Sequence, residues 1–261
     1  MADIYTMGID LGSTTCKGVV LRNGTTVVGS SIVPSGMGTS GPEKAYEEAL
    51  ADAGVKREDL SIIVSTGYGR NRFEQADLVI SELIAHAIGV HSMYPEARTL
   101  IDVGGHDAKA MSISERGRLE NFVMNDRCAA GTGRLLEIMA KQFGVDVSEV
   151  KDLAEKAEGI VPVNASCAVF AESEVIEQIS KGADIPSLAK GVCASLASRI
   201  AQLVKKLGGN GPIYMSGGVG HNTGVVKALE KELGMPVTVS VIQQLNGAYG
   251  AALYGYNRVN K

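Results

Sequence analysis

The sequence predicts an α/β protein of two lobes, and three observations carry that expectation. A strand–turn–strand unit occurs twice, strands give way to helices in each half, and glycines gather into tight clusters. The unit first reads Tyr5-Thr6-Met7-Gly8-Ile9-Asp10-Leu11-Gly12-Ser13-Thr14-Thr15-Cys16-Lys17. It returns as Thr99-Leu100-Ile101-Asp102-Val103-Gly104-Gly105-His106-Asp107-Ala108-Lys109, with Asp10 and Asp102 lying 92 positions apart. In each copy an apolar strand ends on Asp, Gly follows two positions later and Lys seven positions later. Each copy then continues as a second apolar strand to a polar turn, Arg22-Asn23-Gly24 or Glu115-Arg116-Gly117. That turn chemistry predicts a β-hairpin in both places. Because Asp, Gly and Lys agree in register, the pattern reads as an internal duplication and not as two unrelated glycine turns.

The remaining elements follow in order. Pro42 to Ala53 reads as a helix, with Pro at its start and Gly54 just beyond its end. Ile62-Ile63-Val64-Ser65-Thr66-Gly67-Tyr68-Gly69-Arg70 is a strand leading into a glycine turn. The boundary between halves falls near residues 95–98, around Pro95. In the second half, Ile185 to Leu207 carries Leu188, Val192, Leu196, Ile200, Leu203 and Leu207 as a core-facing stripe. Pro212-Ile213-Tyr214-Met215-Ser216-Gly217-Gly218-Val219-Gly220 is a strand entering a third glycine turn. Asn246 to Arg258, rich in Ala and small residues, reads as a closing helix. Strands followed by helices, twice over, predict lobes at 1–97 and 98–261 with a cleft between them. The terminal helix, about 246–261, is expected to pack back on the first lobe.

Composition narrows the function. A chain of 261 residues can bury a sizeable core, and 45% hydrophobic with 21% charged residues describes a soluble protein. A formal charge of −4 argues against a nucleic-acid surface, which needs a basic excess. No apolar run approaches the roughly 18 residues of a membrane helix, so no membrane role is expected. Met1-Ala2-Asp3-Ile4-Tyr5 has no basic and apolar leader pattern, so the cytoplasm is the expected compartment. Cys16, Cys128, Cys167 and Cys193 form no C-x-x-C pair. In a reducing compartment they read as ligands, reactive thiols or packing, not as disulfides.

The two hairpin turns point to phosphate chemistry. A tight Gly/Ser/Thr turn aims backbone N–H groups and hydroxyls into one concavity, which suits phosphate oxygens. Ser13, Thr14, Thr15, Cys16 and Lys17 supply the first turn; Gly104, Gly105, His106 and Asp107 supply the second. Asp10 and Asp102, each ending a strand, can hold Mg2+ directly or through water, because a hard cation prefers oxygen ligands. Two such hairpins facing each other would clamp a nucleotide's phosphates. Neither a Walker motif nor a G-x-G-x-x-G after a strand occurs. The third turn, at Gly217 and Gly218, resembles the loop that lies against adenosine in actin-like ATPases. Together these features predict the two-lobed actin/sugar-kinase/Hsp70-type, ribonuclease H-like ATPase fold, with ATP or ADP as ligand.

The cysteines divide into two kinds. Cys193 falls inside the stripe of the long helix and reads as a small buried hydrophobe. Cys16 reads as packing or backbone only. Cys128, in Asn125-Asp126-Arg127-Cys128-Ala129-Ala130-Gly131-Thr132-Gly133-Arg134, and Cys167, in Asn164-Ala165-Ser166-Cys167-Ala168-Val169-Phe170-Ala171-Glu172, each precede or open a helix. Exposed N–H groups and the positive end of a helix dipole favour a thiolate there. Inert structural cysteine and metal ligand both remain open on this pattern alone. A cubane needs four thiolates, so a cluster reading requires a symmetric dimer with two cysteines from each chain.

These motifs resemble one family, the ATP-dependent activators (component A) of 2-hydroxyacyl-CoA dehydratases, related to the ATPase subunits of benzoyl-CoA reductase. The resemblance covers essentially the whole chain. It runs through Gly8-Ile9-Asp10-Leu11-Gly12-Ser13-Thr14, Ser65-Thr66-Gly67-Tyr68-Gly69-Arg70-Asn71, Asp102-Val103-Gly104-Gly105, both cysteine motifs and Gly217-Gly218-Val219. The cysteine motifs are the specific ones, since sugar kinases of this fold lack them. The resemblance implies a [4Fe-4S] cluster held by Cys128 and Cys167, one cluster per homodimer. It also implies ATP-driven electron transfer to a dehydratase, a flavodoxin or ferredoxin as electron donor, and a nucleotide contact at Gln244. One position departs from the family: His106 stands where Gln is usual, so the hydrolysis rate or its pH dependence is expected to differ. The rival readings are a small-molecule kinase of the N-acetylhexosamine type, a nucleotide-gated assembly module, and a reductase of a double-cubane or benzoyl-CoA reductase-like partner. A kinase needs a catalytic carboxylate facing a sugar hydroxyl, and no residue stands out for it. Neither the kinase nor the assembly module accounts for two cysteines at helix starts.

Overall fold

A computed structural model describes residues 3–126, 129–163 and 167–260. The chain divides into two compact units. One comprises Met1–Ala97, Ile113–Glu120 and Gln244–Lys261; the other comprises Arg98–Ser112 and Asn121–Gln243.

The first unit begins with β1 (Tyr5–Leu11), β2 (Cys16–Arg22) and β3 (Thr26–Val33), followed by α1 (Gly41–Ala53), β4 (Leu60–Thr66), β5 (Leu78–Val79) and α2 (Glu82–Met93). Its sheet has the order β3-β2-β1-β4-β5. β1, β2 and β3 are antiparallel neighbours, while β4 runs parallel to β1 and β5 parallel to β4. Strands β1 and β2 are buried at almost every position, which is why they read as continuous apolar runs without alternation. The β2–β3 turn places Asn23 at φ 55° and Gly24 at φ 69°, the left-handed pair that a tight hairpin requires. Helix α1 ends on Gly54 at φ 65°, whose N–H bonds back to the last turn.

The second unit contains β6 (Thr99–Val103), β7 (Asp107–Ile113), β8 (Leu119–Asp126), α3 (Gly133–Phe143), α4 (Val150–Glu155), α5 (Ala168–Ser180), α6 (Ile185–Leu207), β9 (Ile213–Ser216), α7 (Thr223–Leu233) and β10 (Val237–Val239). Its sheet order is β10-β9-β6-β7-β8. Read from β8, this is the order of the first sheet, with β6–β7 antiparallel and β9 and β10 added in parallel. The duplication seen at the hairpins therefore extends across both sheets. Asp10 pairs with Lys17 on one side and Thr66 on the other; Asp102 pairs with Lys109 and Ser216.

Helix α6 occupies the predicted span, capped by Asp184 at its start and by Gly208 at φ 71°. Its buried face runs Leu188, Val192, Leu196, Ile200 and Val204, while Leu203 and Leu207 are only partly buried. The predicted stripe thus needs correction in its last turns, because the face keeps its step of four. Among the described residues, no helix is long and apolar enough to cross a membrane.

The last helix, α8 (Asn246–Val259), belongs to the first unit and runs against β1 and α2. Small residues allow backbone contact: a methyl group on Gly8 would lie 1.9 Å from the Ala248 carbonyl oxygen, and one on Gly250 would lie 1.8 Å from that of Ala85. Neither neighbour is a flexible side-chain end. Gly8→Ala is therefore expected to cost about 1–3 kcal/mol or more through overpacking, read as a fall of several degrees in Tm. An unchanged melting curve would refute this account of the β1–α8 contact.

Candidate functional site

The first turn, between β1 and β2, is closed by the Gly12 N–H donating to the Thr15 carbonyl at 3.1 Å. Ser13 is exposed and Thr14 and Thr15 are half-buried around it. Asp10, only 3% exposed, receives a 3.1 Å hydrogen bond from Lys17 Nζ on Oδ2. Its other oxygen, Oδ1, is buried with no hydrogen-bond partner among the described residues. Two glycines make room for the carboxylate. A methyl on Gly67, which sits at φ 85°, would lie 2.4 Å from Oδ1; a methyl on Gly247 would lie 3.4 Å from Oδ2 and 2.8 Å from His86 Nε2. His86 is buried and held by Asn246, whose Nδ2 lies 3.2 Å from Nδ1 and donates to the His86 carbonyl at 3.1 Å. Cys16 turns its side chain into the first unit's core. Burial, and then the charge of Asp10, push its thiol up to about 11, so only its backbone is available to a ligand.

The second turn repeats this plan with one change. Asp102 is buried, and Lys109 Nζ lies 3.4 Å from its Oδ2 and 2.9 Å from Asp107 Oδ2. The Asp107 contact is an ion pair without hydrogen-bond alignment. Asp102 Oδ1 accepts from Ser216 Oγ at 2.9 Å. In the first unit the equivalent residue, Thr66, donates instead to the Ile80 carbonyl at 3.2 Å. One hydroxyl, turned differently in the two copies, thus leaves Asp10 with an unclaimed oxygen, whereas Asp102 has Ser216 on Oδ1 and Lys109 on Oδ2. The Gly104 N–H closes the turn on the Asp107 carbonyl at 2.9 Å, and His106 is exposed at its tip.

The third glycine turn adjoins the second. Gly217, at φ 88°, leaves no room for a Cβ, which would lie 2.3 Å from the Val103 carbonyl oxygen at the end of β6. Its N–H donates to the Gln243 carbonyl at 3.3 Å. Gln243 carries φ 21°, a sparsely populated value for a side-chain-bearing residue. Gly218 opens the short helical turn that follows. Gln244 is half-buried and lies two positions before α8. In the second unit, Asp102, Gly104, Gly105, Asp107 and Gly217 thus share one end of the sheet, joined by Lys109 and Ser216. In the first unit, Asp10 and Lys17 meet at the other hairpin.

Cys167 is the N-cap of α5, half-buried, with extended backbone and no hydrogen bond from its side chain to the cap. The first N–H groups of a helix have no intrahelical partner, and here they open beside that sulfur's residue. Val169 and Phe170, 66% and 68% exposed, lie in the same first turn. Cys128 lies outside the described residues. The helix that follows it, α3, starts at Gly133 and is capped by Thr132. α3 packs on α5, and Gln142 Nε2 donates to Glu172 Oε1 at 2.7 Å. Cys193 is buried, and burial pushes its thiol up to about 12, which makes it inert.

Sequence reading passed over Ser216, His86 and Thr132. Ser216 had a signal, since it occupies the place of Thr66 before a strand-ending glycine. Thr132 had one too, as a Thr directly before an amphipathic helix. His86 had none, because its partner Asn246 lies 160 positions away.

An α/β protein with paired Asp–Lys turns and the fold of the actin and sugar-kinase ATPases is what these features define. A glucokinase of the ROK family from Streptomyces griseus shares that fold at a TM-score of 0.59, with 14% identity and coverage of 95% and 98% of the two chains. The model of the BadF/BadG/BcrA/BcrD ATPase family matches residues 7–255, and the chain belongs to that family. It is 46% identical over 259 residues to the (R)-2-hydroxyglutaryl-CoA dehydratase activating ATPase of Acidaminococcus fermentans, covering 99% of each chain. The solved activator of the 2-hydroxyisocaproyl-CoA dehydratase from Clostridium difficile, with bound ADPNP, superposes at a TM-score of 0.96. That pair shares 46% identity, over 98% of this chain and 96% of the other. The resemblance read from the motifs holds along the chain.

Proposed function

We propose that this protein is a cytoplasmic ATPase that activates a 2-hydroxyacyl-CoA dehydratase by ATP-coupled electron transfer, working as a homodimer with one [4Fe-4S] cluster. The observation that carries the reading beyond ATP hydrolysis is Cys167. It is a half-exposed thiol at the start of a helix, while Cys16 and Cys193 are buried. A kinase of this fold has no use for such a thiol.

The residues fit the groups that this function requires. The buried, unpartnered Oδ1 of Asp10 is the kind of oxygen that a hard cation such as Mg2+ takes. A thiol beside free helix N–H groups suits an anionic cluster. Cys128 and Cys167 give two thiols per chain, so two chains complete the set. Val169 and Phe170 put apolar surface beside Cys167, of the kind that a second copy covers. When bound, the cluster supplies one low-potential electron, drawn from a flavodoxin or ferredoxin.

The chain's own part is to bind and to orient. Ser13, Thr14, Thr15 and Lys17 offer hydroxyls, N–H groups and charge to phosphate oxygens, with Cys16 contributing backbone only. Gly104, Gly105, His106 and Asp107 form the second cradle; Gly217, Gly218 and Gln244 are assigned to the nucleoside end. Asp10 orders the cation and the attacking water through its open oxygen. Asp102, fixed by Ser216 and Lys109, assists by holding the second turn in shape. Purification without air tests the whole reading. The expected product is a brown dimer with about four iron atoms per two chains and broad charge-transfer absorption. A monomer without iron would leave a plain nucleotide hydrolase.

A further inference from the structure

Thr132 has one hydroxyl proton and faces two carbonyls. Its Oγ1 lies 3.0 Å from the carbonyl of Gly105 on the second phosphate turn. It lies equally 3.0 Å from the carbonyl of Ala129, the residue that follows Cys128 in the chain. A hydroxyl donates fully to one acceptor at a time. Thr132 is fully buried. Each carbonyl also accepts a backbone N–H, Gly105 from Arg134 at 3.0 Å and Ala129 from Thr132 at 3.2 Å, so the hydroxyl can serve either without orphaning the other. The same oxygen accepts from the Arg134 N–H at 3.3 Å and so caps α3.

The surroundings of Thr132 are taut. The Gly133 N–H donates to the Gly104 carbonyl at 2.9 Å, and the Arg134 N–H to the Gly105 carbonyl at 3.0 Å. The phosphate turn is therefore fastened to the first turn of α3 by two backbone bonds. A methyl on Gly133 would lie 3.1 Å from the Gly104 oxygen and 3.3 Å from Val219 Cγ2. The second phosphate turn, the third glycine turn and the start of α3 thus meet at one residue. On the other side, a methyl on Gly131 would lie 2.2 Å from Asn125 Nδ2, so residues 129–131 also pack without slack.

We propose that Thr132 is a positioning residue that transmits the state of the phosphate turn to α3 and to the segment following Cys128. With its proton on Gly105, the turn and the helix start move as one body. With its proton on Ala129, the 129–131 turn is held and the phosphate turn keeps only its two backbone bonds to α3. Two acceptors at equal distance make an element with two arrangements, which is what coupling between sites requires. A small displacement of the turn by a bound γ-phosphate selects between them. This inference rests on the ATPase reading above and adds the route by which hydrolysis reaches the thiolate segment.

Hydrogen exchange on the intact, anoxically prepared protein tests it, with ADP and the non-hydrolysable analogue ADPNP as the two probes. In the wild type, amides in 129–143 are expected to exchange about threefold or more differently between the two nucleotides. Thr132→Val should abolish that difference while ATP hydrolysis stays within about threefold of wild type, and Thr132→Ser, which keeps the hydroxyl, should restore it. A merely structural role would raise exchange equally with both nucleotides. The coupling is overturned if T132V keeps the nucleotide-dependent difference, or if T132S loses it. A wild type that hydrolyses ATP with no difference in 129–143 also overturns it, without any variant. A wild type that neither binds nor hydrolyses ATP fails earlier, at the ATPase reading itself.

Discussion

Asp10→Asn is expected to lower kcat for ATP hydrolysis about 10²- to 10³-fold while leaving the fold intact. The buried Oδ1 of Asp10 has no hydrogen-bond partner among the described residues. An acceptor buried without a partner is destabilising unless a ligand arrives to claim it, so this oxygen reads as held ready for a cation or water. Asparagine keeps the shape and can still accept from Lys17, but it removes the charge proposed to hold Mg2+. The equivalent substitution in the second unit should behave differently. Asp102 accepts from Ser216 Oγ and faces Lys109 Nζ, a lysine only 2% exposed. Asp102→Asn strips that buried cation of one of its two carboxylates. The cost should be about 3 kcal/mol or more of stability, seen as a lower denaturation midpoint. Phosphate release titrated with Mg2+, together with melting curves for both variants, separates the two. Wild-type hydrolysis by D10N, or a larger loss of stability in D10N than in D102N, would defeat the assignment.

The duplication was legible because its cause is local. A hairpin's Asp, Gly and Lys are spaced by backbone geometry alone, and those spacings survive in the chain as a register between Asp10–Lys17 and Asp102–Lys109. Helix α6 was legible for a similar reason, since Asp184 and Gly208 mark its ends by their own chemistry. What sequence could not reveal is the difference between the two copies. Thr66 and Ser216 look interchangeable, yet one hydroxyl turns to a neighbouring carbonyl and the other to a carboxylate. That choice depends on where Ile80 lies, a tertiary fact. The His86–Asn246 contact is likewise invisible, because it joins α2 to α8 across most of the chain. The short strands β5 and β10, of two and three residues, carry too few side chains to show any period.

Cys167→Ser is expected to move metal content and stability in opposite directions. Cys167 occupies the N-cap of α5 with extended backbone and makes no side-chain cap bond. Serine is among the preferred residues there and should stabilise the helix start by a few tenths to about 1 kcal/mol, since its hydroxyl can accept from the N2 or N3 amide. A cysteine at a position that serine would cap better has another reason for being there, and thiolate ligation supplies one. Loss of two of the four sulfurs proposed for the dimer should reduce iron per two chains roughly tenfold or more, with ATP hydrolysis largely kept. Cys167→Ala provides the control, because it removes the thiol without adding a cap and should leave stability within about 0.5 kcal/mol. Iron analysis and the visible spectrum read all three proteins as purified, and the denaturation midpoint is compared on their iron-free forms, because bound metal itself stabilises the fold. A cysteine kept only for packing would show the reverse pattern. Both variants would then hold their iron, or the wild type would hold none, and the alanine form would lose stability by creating a cavity.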